Sequence, residues 1–327
     1  MDKVKIGDIE LNGHVVLGPM AGVTTLPYRE FMKPFGVALS YSEMISDCGL
    51  YYSNKKTLTY FRTASDDRPV GLQLFGFDFT NTEKAIEVLE EYADYDILDL
   101  NFGCPVPKVT KTGAGSAWMK RPDEMIEYTK KVIAKSHKPV TVKMRLGWDA
   151  DHINCVELSK RMEEIGVKMI TIHARTSTQG YTGAPDYEKI KGLGNELSIP
   201  LCVSGDIYTP EAALKAMEIT GAKLVMVARG GLGNPELVTN INRAIEGEEL
   251  LPTPSIYQDA DYALKFSKML CDYLGERDGA MMLRGLLPHF FSGFPGYKKI
   301  RAEISMNIKN YSDIERILNG IKMRNKL

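Results

Sequence analysis

Short apolar runs rich in Val, Ile and Leu recur along the first three quarters of the chain, with helical periodicities between them. The runs are Val15–Gly18, Val37–Ser42, Val70–Leu74, Ile97–Asn101, Val140–Arg145, Met169–Ala174, Leu201–Ser204 and Leu224–Ala228. They are apolar on both faces, as buried parallel strands are. No hairpin turn joins any two of them. Asp123–Ser136 is a helical pattern preceded by Pro122, and Ile153–Ile165 is another that stops at Gly166. A third opens with Thr209 as N-cap and Pro210 at the first helical position, and closes at Gly221. Eight strand–helix units in about 240 residues predict an α/β fold, a (β/α)8 TIM barrel. A doubly wound sheet would need a glycine-rich turn after the first strand, and Gly18-Pro19-Met20-Ala21-Gly22 is not a dinucleotide fingerprint.

The pattern changes after residue 244. Glu246-Gly247-Glu248-Glu249 and Leu251-Pro252-Thr253-Pro254 read as a linker, 245–256. Only helical stretches follow: Tyr257–Leu274, Ala280–Phe291, Tyr297–Ser305 and Ser312–Met323. The expected organisation is a barrel over 1–244 and a small helical bundle over 257–327.

Composition narrows the class. Hydrophobic residues make up 44% and charged residues 25%, the balance of a globular chain. No apolar run is long enough for a membrane span, and Met1-Asp2-Lys3-Val4-Lys5 has no apolar leader. The cysteines Cys48, Cys104, Cys155, Cys202 and Cys271 show no Cys-x-x-Cys spacing, so no metal site is expected. Free thiols suit a reducing cytoplasm. Charge is uneven. Residues 251–327 carry 12 Lys and Arg against 8 Asp and Glu, which leaves +4 there and −5 on the rest. A basic tail on an acidic body hints at a polyanion partner; a solvated basic face is the competing reading.

Candidate chemistry lies at one end of every strand. Barrel enzymes build their sites at the C-terminal strand ends. Here those ends carry Pro19, Met20 and Ala21; Glu43; Gln73; Asn101 with Cys104 beyond it; Lys143 and Arg145; His173 and Arg175; Ser204, Gly205 and Asp206; and Ala228 and Arg229. Singly each is weak, and Gln73 or His173 could be a satisfied core residue. Lys143 is harder to dismiss, because lysine is rarely buried without a partner or a task. Glycine-bearing ends on strands 7 and 8 point to a phosphate, which Arg229 would grip with a charge-assisted bond. Lys143 suits a ring that gains negative charge on reduction, and Gln73 can donate to and accept from such a ring. Together these groups read as an FMN site. Cys104 stands between Gly103 and Pro105 on a constrained loop over the mouth. Its thiol can donate a proton, or attack as a thiolate if a base activates it.

These residues resemble the flavin-dependent tRNA-dihydrouridine synthases, most closely their bacterial DusB-like branch. The resemblance runs through Pro19-Met20-Ala21-Gly22, Ser42-Glu43-Met44, Asn101-Phe102-Gly103-Cys104-Pro105, Val142-Lys143-Met144-Arg145, His173-Ala174-Arg175-Thr176, Tyr181-Thr182-Gly183, Gly205-Asp206-Ile207 and Ala228-Arg229-Gly230. It continues into Arg284–Arg301 and so covers nearly the whole chain. It implies FMN reduced by NADPH or NADH, hydride delivery to C6 of a uridine in tRNA, and protonation of C5 by Cys104. It places Pro19, Met20, Ala21, Gln73, Lys143, His173, Ser204, Gly205, Asp206, Ala228 and Arg229 on FMN. Asn101 and Arg145 lie against the uracil, and the helical domain meets RNA. A monomer is expected. Ser204 stands where the family has Asn, and Gly285-Leu286 where many relatives carry Lys-His. Ribosomal RNA is an alternative substrate, and a small-molecule pyrimidine or enone flavin reductase an alternative function.

Overall fold

The computed structural model describes residues 3–51 and 61–324. Met1, Asp2 and the last three residues of the expected helical domain lie outside the described residues.

Eight parallel strands close into a barrel. They are β1 Val15–Leu17, β2 Val37–Ser46, β3 Val70–Phe75, β4 Ile97–Phe102, β5 Val140–Arg145, β6 Ile170–His173, β7 Leu201–Ser204 and β8 Leu224–Val227. Closure pairs Val225, Met226 and Val227 of β8 with Val15, Val16 and Leu17 of β1. Alternation along the strands splits the apolar residues into two cores. Val16, Leu39, Met169, Leu224 and Met226 face the axis, where Val4, Ile6 and Leu11 from a short N-terminal hairpin join them. Val15, Leu17, Val70, Leu72, Val225 and Val227 point outward against the helices.

β2 runs to Ser46, four residues beyond its predicted end. Its register shifts between Tyr41 and Met44. At that irregularity the Ser42 hydroxyl accepts from the backbone N–H of Gln73 at 3.2 Å. A side chain therefore supplies what the ladder lacks. The polar triplet Ser42-Glu43-Met44 hid this continuation in the sequence. The helix Pro210–Thr220 forms as predicted: the Thr209 side chain accepts from Ala212 N–H, and Gly221 closes it at φ 70°.

The helical region begins at Ile256, after the last barrel helix, Glu236–Glu246. Its helices are Ile256–Leu274, Glu276–Leu286, Tyr297–Asn307 and Tyr311–Arg324. The predicted helix Ala280–Phe291 is two pieces. An α-helix ends at Leu286, and a tighter 3-10 turn, Leu287–Phe291, follows with Pro288 in its first turn. Proline has no N–H to continue the α pattern. The region is not a loose appendage. Phe266 packs on Tyr28 and Phe31 of the first barrel helix, Leu26–Met32, at ring distances of 5.6 and 5.5 Å. Tyr262 OH donates to buried Glu236 at 2.6 Å. At Gly233 a Cβ would meet the backbone of His289 and Phe290 at 2.3 and 2.4 Å.

Candidate active site

A cavity of about 730 Å³ opens at the C-terminal strand ends, within the range of small-molecule sites. Fourteen of the sixteen strand-end candidates line it, all but Glu43 and Arg175: Pro19, Met20, Ala21, Gln73, Asn101, Cys104, Lys143, Arg145, His173, Ser204, Gly205, Asp206, Ala228 and Arg229. Fold topology alone brings them together from seven separated stretches.

The Cys104 loop is held from both sides. Asn101 Oδ1 accepts from the backbone N–H of Gly103 at 3.1 Å and of Cys104 at 2.9 Å. Arg145 Nε donates to the Gly103 carbonyl at 2.8 Å, and its Nη1 donates to the carbonyls of Thr176 and Gly180. Gly115 lets the loop pack, because a Cβ there would meet the Cys104 carbonyl at 2.6 Å. The thiol is 8% exposed. Burial raises its pKa, and Lys143 and Arg145 offset this only in part. It is thus a protonated thiol at neutral pH, suited to giving a proton rather than to attacking.

Four cations converge on the site. Burial, with Arg145 nearby, lowers the Lys143 pKa to about 8, while Asp99 resists the shift. Burial and the charges of Lys143, Arg145, Arg175 and Arg229 lower His173 to about 2. Its imidazole is therefore neutral. Arg175 is 1% exposed, donates to the Gly183 carbonyl at 2.6 Å and forms an ion pair with Asp206. Arg229 reaches the same carboxylate at 3.0 Å. The pair with Arg175 holds the Asp206 carboxyl below the usual carboxylate range. Asp206 itself adopts φ 45°, unusual for a residue with a Cβ. Such a field favours an anion or a ring acquiring negative charge.

The profile of the dihydrouridine synthase (Dus) family matches residues 16–323. A probable tRNA-dihydrouridine synthase of Rickettsia bellii is 35% identical over 304 residues, 93% of each chain. The tRNA-dihydrouridine synthase B of Pasteurella multocida is 32% identical over 290 residues, 89% of this chain and 87% of its own. That of Pseudomonas aeruginosa is 32% identical over 93% of this chain and 92% of its own.

The chain belongs to the dihydrouridine synthase family. An old yellow enzyme homologue of Zymomonas mobilis aligns over 76% of this chain and 93% of its own, with a TM-score of 0.56 at 14% identity. At that identity the likeness concerns the barrel fold alone.

The residues fit the flavin this family uses. Ser204, Gly205, Ala228 and Gly230 leave the ends of β7 and β8 with little side-chain bulk, and at Gly230 a Cβ would strike the Ile207 carbonyl at 2.0 Å. Gln73 is fully buried at the floor of the cavity. Its Nε2 donates to Asp99 and its Oε1 accepts from Asn101, so each end of the amide keeps one bonding position. Of the further wall residues, Met44 and Tyr181 stood in the matching motifs without a role, and Tyr208 and His289 had no signal in the sequence. Tyr181 lies under two guanidinium groups, Arg229 at 5.1 Å and Arg145 at 5.5 Å. His289 comes from the helical region, and no periodicity signals that it would reach the barrel mouth. Among the described residues no helix is long and apolar enough to cross a membrane, and no cluster of His, Cys, Asp and Glu could hold a metal.

Proposed function

We propose that this cavity holds FMN and converts a uridine of tRNA to 5,6-dihydrouridine, with Cys104 as the acid. The supporting observation is one cavity that joins a buried, protonated Cys104 to a cationic wall and to the uncrowded ends of β7 and β8. When bound and reduced by NADPH, FMN would supply the hydride that C6 of the uracil accepts. Residues of this chain do the rest. Ser204, Gly205, Asp206, Ala228 and Arg229 would hold the FMN phosphate. Pro19, Met20 and Ala21 flank the ring. Gln73 bonds its polar edge, neutral His173 donates or accepts beside it, and Lys143 stabilises the negative charge it gains on reduction. Asn101 and Arg145 form the wall against which the uracil lies. Cys104 Sγ–H then gives its proton to C5 as the C6–H bond forms, and the thiolate left behind is reprotonated from water.

The base must leave its stack to reach the mouth, at a cost of a few kcal/mol, which favours loop positions. The basic helical region meets the RNA phosphates. A monomer in a reducing cytoplasm suits a site built within one chain and five free cysteines. The test is mass spectrometry of nucleosides from tRNA incubated with enzyme and NADPH. Wild type forms dihydrouridine. Cys104→Ala stays yellow but forms it slower by roughly 10²-fold or more. Full activity in that variant would remove Cys104 from the role of acid.

A further inference from the structure

Beneath the cavity floor Gln73 and Asn101 join a polar chain whose deeper members the reaction above does not use. Asp99, in the middle of β4, is fully buried. Strand register places it beside Gln73 of β3 and Thr141 of β5. Its Oδ2 accepts from Gln73 Nε2 and its Oδ1 from Thr141 Oγ1, both at 2.6 Å. Tyr41 OH bonds Thr141 Oγ1 at 3.1 Å from β2. On the other side, Gln73 Oε1 accepts from Asn101 Nδ2 at 2.7 Å. Asn101 Oδ1 is thereby turned to the N–H groups of Gly103 and Cys104.

We infer that Asp99 is a positioning residue: its acceptor-only carboxylate fixes the amide orientation of Gln73, through it that of Asn101, and so the cap that holds the backbone of Cys104. The reason is directional. A primary amide can sit in its site either way round, and only its neighbours decide which. Burial raises the Asp99 pKa to about 6, so above that pH the group is ionised, and an ionised carboxylate admits one answer. Gln73 must offer NH2 to it, so Gln73 offers oxygen to Asn101, and Asn101 offers oxygen to the loop. Both hydrogens of Asn101 Nδ2 are used, since it also bonds Met44 Sδ at 2.9 Å. Reversing Gln73 would set NH2 against NH2 at Asn101. Asn101 could relieve that only by turning its own NH2 toward the N–H of Cys104, which would lose the cap.

The kinetic part of the test rests on the dihydrouridine synthase reading; the exchange part does not. In Asp99→Asn the new amide can donate to Gln73 and reverse the chain. Hydrogen exchange, followed by mass spectrometry on a peptide spanning 101–106 of the purified protein, should speed up by about 10-fold or more at residues 103 and 104. Reoxidation of the reduced enzyme by unmodified tRNA should slow by about 10-fold or more, as a displaced reacting group demands. Adding Asn101→Asp moves the carboxylate to the far end of the chain. It then accepts from the reversed Gln73 and from the loop, and slow exchange should return. Should Asp99→Asn fail to fold, this double variant carries the test by its own exchange rate, expected to be that of wild type. Unchanged exchange in Asp99→Asn overturns the inference, and so does fast exchange in the double variant. A wild-type enzyme that tRNA cannot reoxidise would defeat the functional reading instead, with the exchange result standing.

Discussion

At the scale of single residues, the site uses environment rather than residue identity to assign roles. Cys104 and Lys143 share a cavity, yet burial pushes the thiol toward its neutral acid form while the ammonium survives at neutral pH. The lysine pKa is lowered to about 8, so the cation is present below that pH and lost above it. Flavin reduction by NADPH should therefore slow as pH rises through about 8, and Lys143→Met should be slow and lack that alkaline limb; stopped-flow absorbance checks both. His173 is already neutral across the working range, so no acid limb near pH 6.5 should come from it. These residues were legible in the sequence because each stands where a barrel strand ends. Asp99 was not, since an acidic residue inside an apolar run carries no mark of what it faces.

Elements show where local signals hold and where packing overrides them. The Thr209–Pro210 start and Gly221 stop are local, and they form as read. The extension of β2 depends on a partner, Gln73 N–H, whereas the break before Pro288 follows from a residue with no N–H of its own. At the β7–β8 face Gly230 packs its α-carbon against a carbonyl that no side chain can displace. Gly230→Ala should deform that face and yield protein largely free of flavin, measured by the absorbance ratio at 450 and 280 nm. The helix Ile256–Leu274 is tied to the barrel by Phe266. Phe266→Ala should destabilise the whole protein by roughly 3–5 kcal/mol in urea unfolding. Deleting residues 251–327 would uncover that aromatic cluster, so it cannot separate an RNA-dependent enzyme from a small-molecule reductase; point changes on the helical surface can.

For the whole molecule, charge is distributed by task. Lys143, Arg145, Arg175 and Arg229 concentrate positive potential in a cavity of a chain whose net charge is −1. The +4 of residues 251–327 lies on the region that also sends His289 to the cavity mouth. Binding of unmodified tRNA should weaken steeply with salt, by roughly 10³-fold between 50 and 200 mM if about six phosphates are engaged. Filter binding across that range measures it. A flat response would place the RNA contacts elsewhere than on charge.

The sequence by itself determined the strand count, the polar strand ends and the family, because those depend on residue type and spacing along the chain. Tertiary structure decided what those residues touch. It spent the Asn101 amide on the Cys104 loop, set Asp206 between two arginines, and brought His289 from the helical region to the barrel mouth. The physical reason is that barrel closure and helix docking juxtapose groups far apart in the chain, and hydrogen-bond direction and pKa depend on those neighbours rather than on the residue alone.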